Sequence, residues 1–408
     1  MRKELEEACI RLDAQKDSMV KTLIGMCGIP AISPASGGDG EEKKVRWLTE
    51  HVKKLGFKSI ERYDCPDKKS PTGSRPSIVV RLRGKDRKRT IWVVSHTDVV
   101  PAGDLRKWVG DPFKPVLRGN KVIGRGVEDN GQALVSSLYA AKTLLDMKIM
   151  PRYDIALAFV ADEEVGSKYG IDFLIKKRLF RKGDLIVVPD VGIKDGGKIE
   201  IAEKSIMWLK VTTTGRQVHG ATPNKGINAH KWAMKFALRL DELLYKKYAA
   251  KDSLFSPDFS TFEPTKKEAN VPNINTIPGD DVFYIDCRVL PVYDMKEVMG
   301  TIKSEAKKVE DESGVKIKLE IVNGGKSTPA TSIDSEVFRE LGRAIYEVKG
   351  IKPEPFGIGG GTCAALFRAA GYPAAVWATS DETAHDANEY ILVGNMVSDA
   401  KVYAALFI

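Results

Sequence analysis

The segment Ile91-Trp92-Val93-Val94-Ser95-His96-Thr97-Asp98 decides how the rest of the chain is interpreted. Its apolar first half is typical of a strand buried on both faces, as in a parallel sheet covered by helices. An imidazole and a carboxylate follow at the end of this strand. Open α/β folds bind their ligands at the carboxyl ends of the strands. We therefore predict a parallel α/β sheet with a polar site at the end of this segment.

Similar apolar runs recur along the chain and alternate with helical patterns. Strands are predicted at residues 77–82, 90–100, 154–161 and 184–189, and helices at residues 3–26, 41–55 and 132–147. Strands and helices that alternate in this way favour a mostly parallel sheet flanked by helices on both faces. The fold class that we predict is therefore α/β.

Residues 205–323 follow a different order of strand, helix, strand, helix and strand, before the earlier pattern returns. Two helices on a small antiparallel sheet would form a self-contained, two-layer α+β domain. A chain of 408 residues also exceeds what one hydrophobic core usually serves. We predict a catalytic domain in two parts, residues 1–204 and 324–408, with an inserted lid and dimerisation domain at residues 205–323.

Composition excludes several functional classes. The formal net charge is +9, but the basic clusters are short, scattered and without the interleaved aromatics of a nucleic-acid binder. A mild positive field suits small anionic substrates better. No apolar run approaches the roughly 20 residues of a membrane helix, and the charged N-terminal region does not resemble a signal peptide. The five cysteines show no close pairing, so we expect reduced thiols in a cytoplasmic protein that binds neither nucleic acid nor membrane.

Acidic and histidine residues follow several of the predicted strands. Asp162, Glu163 and Glu164 come after the run at 155–161, Asp190 after the run at 185–188, and His385 after the last apolar strand. Parallel strands bring their carboxyl ends to one edge of the sheet, so these side chains should converge there. Adjacent acids at the end of a buried strand repel one another unless a cation or solvent compensates them.

Carboxylates mixed with imidazoles, without thiolates, suit zinc or a similar divalent metal. Five such ligands exceed what one tetrahedral zinc ion takes, so the pattern predicts two metals that share a bridging carboxylate. Simpler interpretations exist for each motif alone: a buried histidine paired with Asp98, or a solvated acidic turn. A metal-free protein that binds small anions or nucleotides through the glycine-rich loops at 124–126 and 359–362 is a further alternative.

Four motifs then show a specific resemblance. They are His96-Thr97-Asp98-Val99-Val100-Pro101, Gly124-Arg125-Gly126-x-x-Asp129, Asp162-Glu163-Glu164-x-Gly166 and the late His385. In this order they resemble the dinuclear metallopeptidase family that includes aminoacylase, acetylornithine deacetylase, succinyl-diaminopimelate desuccinylase and glutamate carboxypeptidase. The resemblance covers nearly the whole chain and implies a zinc-peptidase type of fold with an inserted lid.

The resemblance also implies roles for single residues. The metal ligands would be His96, Asp129, Glu164, Asp190 and His385. Asp129 would bridge two divalent ions, zinc in the first place, with cobalt or manganese as alternatives. His96 and Glu164 would each complete one coordination shell, in partnership with Asp190 and His385.

Two further acids carry implied catalytic roles. Asp98 would hold the tautomer of His96. Glu163 would be the general base that takes a proton from a water held between the metals and returns it to the leaving amine.

Residues of the insert resemble the family's lid. His219, in Val218-His219-Gly220-Ala221-Thr222-Pro223, would reach the active site of a partner subunit and donate to the oxyanion. Asn275 and Arg288 resemble positions that hold a substrate carboxylate, and a structural salt bridge is the alternative for Arg288. His51 and His230 match no motif, and we interpret them as ordinary helix residues.

The glycine-rich run Gly359-Gly360-Gly361-Thr362 precedes a predicted helix. Gly360, Gly361 and Thr362 would offer an anion site through backbone N–H groups and the positive end of the helix dipole. Part of a dinucleotide-binding loop is the alternative, although the glycine spacing does not fit it. The same run resembles the dipeptidase branch of the family.

Together these features predict a hydrolase that cleaves the amide bond of a small carboxylate-bearing substrate, either a dipeptide or an N-acyl amino acid. Succinyl-diaminopimelate desuccinylase or acetylornithine deacetylase activity, in amino-acid biosynthesis, is the alternative within the family. We also expect a homodimer formed through the insert, which is too small to contain a second copy of the lid.

Overall fold

The structure is a computed structural model that describes residues 3–324, 326 and 328–408. The chain divides into two compact units. The first comprises the chain up to Ile201 with Thr331–Phe356 and Thr362–Ile408, and the second comprises Ala202–Ala330 with Gly357–Gly361. The insert predicted from sequence, residues 205–323, falls within the second unit.

The described residues form ten α-helices and seventeen strands. The helices are α1 (Lys3–Ala14), α2 (Lys16–Cys27), α3 (Glu42–Lys54), α4 (Ala133–Met147), α5 (Ile171–Lys176), α6 (Ala229–Lys247), α7 (Met295–Ser313), α8 (Glu336–Lys349), α9 (Ala364–Ala369) and α10 (Val393–Phe407). The strands are β1 (Ser59–Pro66), β2 (Ser74–Leu82), β3 (Asp86–His96), β4 (Val116–Arg118), β5 (Lys121–Ile123), β6 (Tyr153–Val160), β7 (Leu185–Val188), β8 (Lys198–Glu203), β9 (Ser205–Thr214), β10 (Val218–His219), β11 (Thr261–Lys267), β12 (Thr276–Ile277), β13 (Asp280–Val289), β14 (Lys316–Gly324), β15 (Glu354–Ile358), β16 (Ala374–Val376) and β17 (Tyr390–Leu392).

An eight-stranded sheet in the order β1-β2-β6-β3-β7-β16-β8-β15 forms the centre of the fold. Its four middle strands, β6, β3, β7 and β16, are parallel to one another. Strands β1 and β2 pair antiparallel on one side, and β8 pairs antiparallel with β16 on the other. The predicted α/β fold with a mostly parallel sheet is confirmed.

Strand β3 occupies the middle of this sheet because its side chains are apolar on both faces. Ile91, Trp92, Val93 and Val94 are each at most 1% exposed. Such burial requires neighbouring strands and covering helices, which parallel sheets provide. The apolar helix α4 supplies part of this cover, since it packs against β3 and β6 and most of its residues are buried. Because β3, β6 and β7 run in the same direction, their carboxyl ends lie at the same edge of the sheet.

The second unit contains a four-stranded antiparallel sheet in the order β11-β13-β9-β14 and a two-stranded ribbon of β10 and β12. Alternate residues of β9 and β13 are buried in one core with residues of α6 and α7. This alternation is what a sheet covered by helices on one face requires.

Strand β11 lies within a stretch, residues 256–279, that is rich in Pro, Ser and Asn. Its pairing register shifts between Pro264 and Lys266. Proline is tolerated at such an irregularity in an edge strand because no ladder hydrogen bond is lost there.

The opening helix predicted at residues 3–26 is two helices, α1 and α2, with Gln15 between them. Gln15 has φ −90° and ψ 0°, which interrupts regular helix geometry. None of the helices in the described part of the chain combines the length and the apolar sequence that crossing a membrane requires.

Candidate active site

His96 is the last residue of β3, and its imidazole lies among carboxylates from two other segments. Its Nε2 is 2.7 Å from Oδ1 of Asp129 and 3.3 Å from Oδ1 of Asp190. Asp129 belongs to the irregular turn Val127–Gln132 that precedes α4, and Asp190 follows β7. We name this cluster of His96, Asp190 and Asp129 the His96 position.

A second imidazole faces the other oxygen of Asp129. Nε2 of His385 is 2.9 Å from Oδ2 of Asp129 and 3.1 Å from Oε2 of Glu164. We name this cluster of His385, Glu164 and Asp129 the His385 position. Each oxygen of the Asp129 carboxylate therefore contacts a different imidazole, which is the arrangement of a carboxylate that bridges two metal ions.

The spacing of these atoms fits metal coordination. Two groups of possible ligands have all their ligand atoms within 4.8 Å of one another: His96 with Glu163 and Asp190, and His96 with Asp129 and Glu164. Two ligands about 2.0–2.1 Å from a tetrahedral zinc ion lie about 3.3 Å apart. The distances from His96 to Asp190, 3.3 Å, and from His385 to Glu164, 3.1 Å, are close to that value.

The charges of the site favour cations. Burial raises the pKa values of Glu163, Glu164 and Asp190, and the charge of Asp190 raises that of Glu163 further. Burial also acts to raise the pKa of Asp129, but the two imidazoles hold it below its ordinary value. Hydrogen bonds to Asp129 and Glu164 raise the pKa of His385 to about 10. Ionising a buried carboxylate is costly, and a bound divalent ion stabilises the ionised form. This set of carboxylates and imidazoles therefore fits two divalent ions.

Asp98 supports the site mainly through the loop after β6. Nδ1 of His96 is bonded to the backbone oxygen of Asp98 at 3.0 Å, whereas the Asp98 carboxylate is 3.5 Å away. That carboxylate instead accepts hydrogen bonds from the backbone N–H groups of Glu163 at 3.0 Å and Glu164 at 3.1 Å. The sequence predicted only that Asp98 holds His96, and the structure adds the second function.

Asp162, the first acid of the predicted acidic turn, is compensated by a buried arginine. Nη1 of Arg75 donates to Oδ1 of Asp162 at 2.9 Å, and the same guanidinium is bonded to both oxygens of Glu41. Asp162 has φ 70°, and the turn containing Glu163 and Glu164 follows it. Arg75 is thus the cation that compensates the charge of Asp162.

Glu389 is a supporting residue that sequence analysis missed. It is fully buried and accepts hydrogen bonds from Nη1 of Arg125 and from the backbone N–H groups of Gly126, Glu128 and Asp129, at 2.7–3.1 Å. Burial and the charge of Asp129 raise its pKa to about 7. The position of Glu389 directly before the short strand β17 is the sequence signal that could have identified it.

Gly126 begins the turn that carries Asp129. Its φ is 79°, and an added Cβ would lie 2.6 Å from Cγ1 of Val99. Only glycine avoids both the unfavourable backbone angle and this contact.

The predicted lid residues belong to the second unit. His219 is the last residue of β10, and Asn275 directly precedes the partner strand β12. Next to them the Gly220 N–H donates to the Asn275 carbonyl at 2.7 Å. Both side chains are exposed. Nδ1 of His219 accepts a hydrogen bond from the Ala221 N–H at 3.0 Å.

Arg288 is held by its own strand and by the glycine-rich run. Its Nε and Nη2 donate to the two carboxylate oxygens of Asp286, at 2.6 and 2.9 Å, and its Nη1 donates to the carbonyl of Gly359 at 2.9 Å. The salt bridge that we considered as an alternative is therefore present. These contacts use three of the five guanidinium N–H groups, which leaves one on Nη1 and one on Nη2 for a further acceptor.

The glycine-rich run is followed by a short helix. Gly360 and Gly361 are exposed, whereas Thr362 is buried. Helix α9 is six residues long, and the N–H of Ala364 is bonded to Oγ1 of Thr362 at 3.1 Å. The helix dipole thus contributes less to an anion site than sequence analysis assumed.

The two histidines without a motif lie in helices. His51, in α3, stacks on Trp47 and shares a hydrogen bond with Thr22 at 2.9 Å. His230, in α6, pairs with Asp281 at 2.8 Å. Neither residue belongs to the metal-ligand groups among the described residues.

Comparison with known proteins identifies the family. Residues 92–408 match the sequence pattern of peptidase family M20/M25/M40. The chain belongs to this family. It is therefore a hydrolytic enzyme of a metallohydrolase family, which implies divalent metal cofactors, and the predicted family is confirmed.

Individual relatives of this M20-family enzyme extend over nearly its whole length. It is 41% identical over 408 residues to an uncharacterized metallohydrolase of Methanococcus maripaludis, covering 95% of this chain and 98% of the relative. It is 24% identical to succinyl-diaminopimelate desuccinylase of Pelagibacter ubique, with coverages of 92% and 94%. The crystal structure of human carnosine dipeptidase 1 shares the fold, with a TM-score of 0.74, 19% identity and coverages of 99% and 98%.

Proposed function

We propose that this M20-family hydrolase cleaves the amide bond of a small, carboxylate-bearing substrate with two divalent metal ions. The observation that carries the proposal is the Asp129 carboxylate, which contacts His96 with one oxygen and His385 with the other. One ion would lie at the His96 position and the other at the His385 position. Zinc is the proposed metal because the donors are imidazoles and carboxylates, which cobalt and manganese also accept.

Glu163 is the proposed general base. When bound, divalent ions lower the pKa of coordinated water and stabilise negative charge on the substrate oxygen. Glu163 lies beside the His96 position, with a carboxylate oxygen within 4.8 Å of ligand atoms of His96 and Asp190. From there it takes a proton from the attacking water and returns it to the leaving amine. The Asp98 carboxylate binds the backbone N–H of Glu163 and so restricts the positions that the Glu163 carboxylate can reach.

The substrate carboxylate would be bound by residues of the second unit. Arg288 retains one N–H on Nη1 and one on Nη2 for a carboxylate, and its bond to the Gly359 carbonyl joins it to the glycine-rich run. Asn275 adds an amide donor, and Gly360 and Gly361 add backbone groups. We favour dipeptides over N-acyl amino acids because the Gly-Gly-Gly-Thr run resembles the dipeptidase branch. N-succinyl or N-acetyl amino acids are the second candidates, supported by the similarity to a desuccinylase.

We also propose that the enzyme is a homodimer in which His219 completes the active site of the partner. Because Nδ1 of His219 accepts a hydrogen bond, the neutral ring carries its proton on Nε2, where it can be donated to an oxyanion. The four-stranded sheet of the second unit ends in the edge strands β11 and β14. Exposed edges of this kind pair readily about a two-fold axis.

The first prediction concerns the general base. Glu163→Gln keeps the shape of the side chain but removes the proton acceptor, so kcat for dipeptide hydrolysis should fall by roughly 10²–10⁴-fold while the metal content stays unchanged. Steady-state kinetics and elemental analysis of the dialysed protein measure both quantities. Glu50→Gln, an exposed change on α3, is the matched control. A Glu163→Gln enzyme with wild-type kcat would mean that another group is the base.

The second prediction concerns the substrate carboxylate. A dipeptide should be hydrolysed at least about tenfold more efficiently than its C-terminal amide, because the amide loses a charge-assisted hydrogen bond. Arg288→Lys should raise KM for the dipeptide and leave KM for the amide nearly unchanged. The control is Arg239→Lys, which alters an exposed bidentate pair with Glu312. Equal kcat/KM for the two substrates would contradict the proposed anchoring.

The third prediction concerns the dimer. Glu163→Gln and His219→Ala chains should each be inactive alone. An equimolar mixture, after subunit exchange, should recover roughly a quarter of the wild-type activity, because one site of each heterodimer has both residues intact. The same exchange with each variant on its own gives the baseline. Full wild-type activity in a particle of monomeric mass, measured by light scattering, would rule out the shared site.

A further inference from the structure

Glu128 immediately precedes the bridging residue Asp129, yet its carboxylate is bonded to another segment of the chain. It accepts hydrogen bonds from the segment 380–383, which leads to His385. The donors are the hydroxyl of Ser380 at 2.8 Å, the N–H of Asp381, the N–H of Glu382 at 3.0 Å, and the N–H and hydroxyl of Thr383, each at 2.6 Å. Both oxygens of one carboxylate are used.

The segment that donates these bonds is also held at its side chains. The Asp381 carboxylate accepts hydrogen bonds from the N–H of Leu392 at 2.8 Å and from Nδ2 of Asn395 at 3.2 Å, and the Thr383 hydroxyl is bonded to the backbone of Tyr390.

Glu382 and His385 have φ values of 60° and 67°, and the His385 side chain is 54% exposed. Residues with positive φ outside glycine persist only where neighbouring contacts enforce them. Nη2 of Arg125 also donates to the carbonyl of His385 at 3.1 Å.

Glu389 makes the reciprocal connection. It lies four residues after His385 and accepts hydrogen bonds from the N–H groups of Gly126, Glu128 and Asp129. The two segments therefore bind each other reciprocally. Glu128, in the turn that carries Asp129, binds the segment before His385, and Glu389, which follows His385, binds the turn. A buried network that is satisfied in this way fixes the distance between the segments it joins.

We propose that Glu128 is a positioning residue that sets the His385 position relative to Asp129, and so controls binding of the second metal ion. The inference rests on the proposed two-metal function. Residues that orient metal ligands typically change metal affinity by 10–100-fold when they are replaced. Glu128 is not a ligand, since its oxygens face the donors of 380–383, and Glu389 continues to hold the Asp129 turn when Glu128 is changed.

The test uses Glu128→Gln, which keeps the volume of the side chain but turns an amide NH₂ toward one set of donors. A zinc titration of the metal-free protein, measured by isothermal titration calorimetry, should show two binding steps in the wild type. In Glu128→Gln the tighter step should remain within about twofold, and the weaker step should lose about 10–100-fold in affinity. Amide hydrogen exchange of the metal-free protein should also become faster at residues 380–388.

Two further variants make the result specific. Glu382→Gln changes the same chemical group in the same segment, but its carboxylate is exposed and pairs only with Lys194 at 3.4 Å among the described residues, so both steps should match the wild type. Ser380→Ala removes one donor and should give a smaller loss at the weaker step, which also serves if Glu128→Gln does not fold.

The outcomes separate the inference from the function on which it rests. Two wild-type steps that are unchanged in Glu128→Gln and Ser380→Ala, or weakened equally at both sites, would overturn the positioning role and leave the two-metal enzyme intact. A wild-type protein that binds no zinc would instead overturn the proposed function, and this inference with it.

Discussion

The fold depends on placing the two oxygens of Asp129 between two imidazoles that come from distant parts of the chain. His96 ends the central strand β3, and His385 follows the last strand of the parallel group by nine residues. Parallel strands bring these ends to one edge, and burial there makes each additional carboxylate costly to ionise. The site is stable with its acids ionised only where cations balance them, and this requirement connects the fold with metal-dependent hydrolysis.

A second set of charged residues makes this arrangement possible. Asp98 binds the backbone of Glu163 and Glu164, Arg75 neutralises Asp162 behind them, and Glu389 binds the turn of Asp129. Each contact uses a buried or half-buried group that is costly to leave without a partner, so each is specific in geometry. The backbones of Glu163, Glu164 and Asp129 are therefore held by buried carboxylates from other segments of the chain.

Much of the centre could be predicted from the sequence because the relevant signals are local. A run such as Ile91–Val94 identifies a strand buried on both faces, and the polar residue directly after it marks the site. Glu389 could not be assigned in the same way, since it lies 263 residues from Gly126, its partner. The salt bridge between Arg288 and Asp286 and the short length of α9 also depend on contacts that residue spacing does not encode.

In the proposed function, Asp129 lies between two metal ions. Anomalous diffraction at the zinc edge, from crystals of the protein grown with zinc, tests it most directly. We expect two anomalous peaks per chain, one on each side of the Asp129 carboxylate and about 3.5–4 Å apart, with His96 beside one and His385 beside the other. A single peak bound by His96 alone, or the absence of any peak beside Asp129, would contradict it.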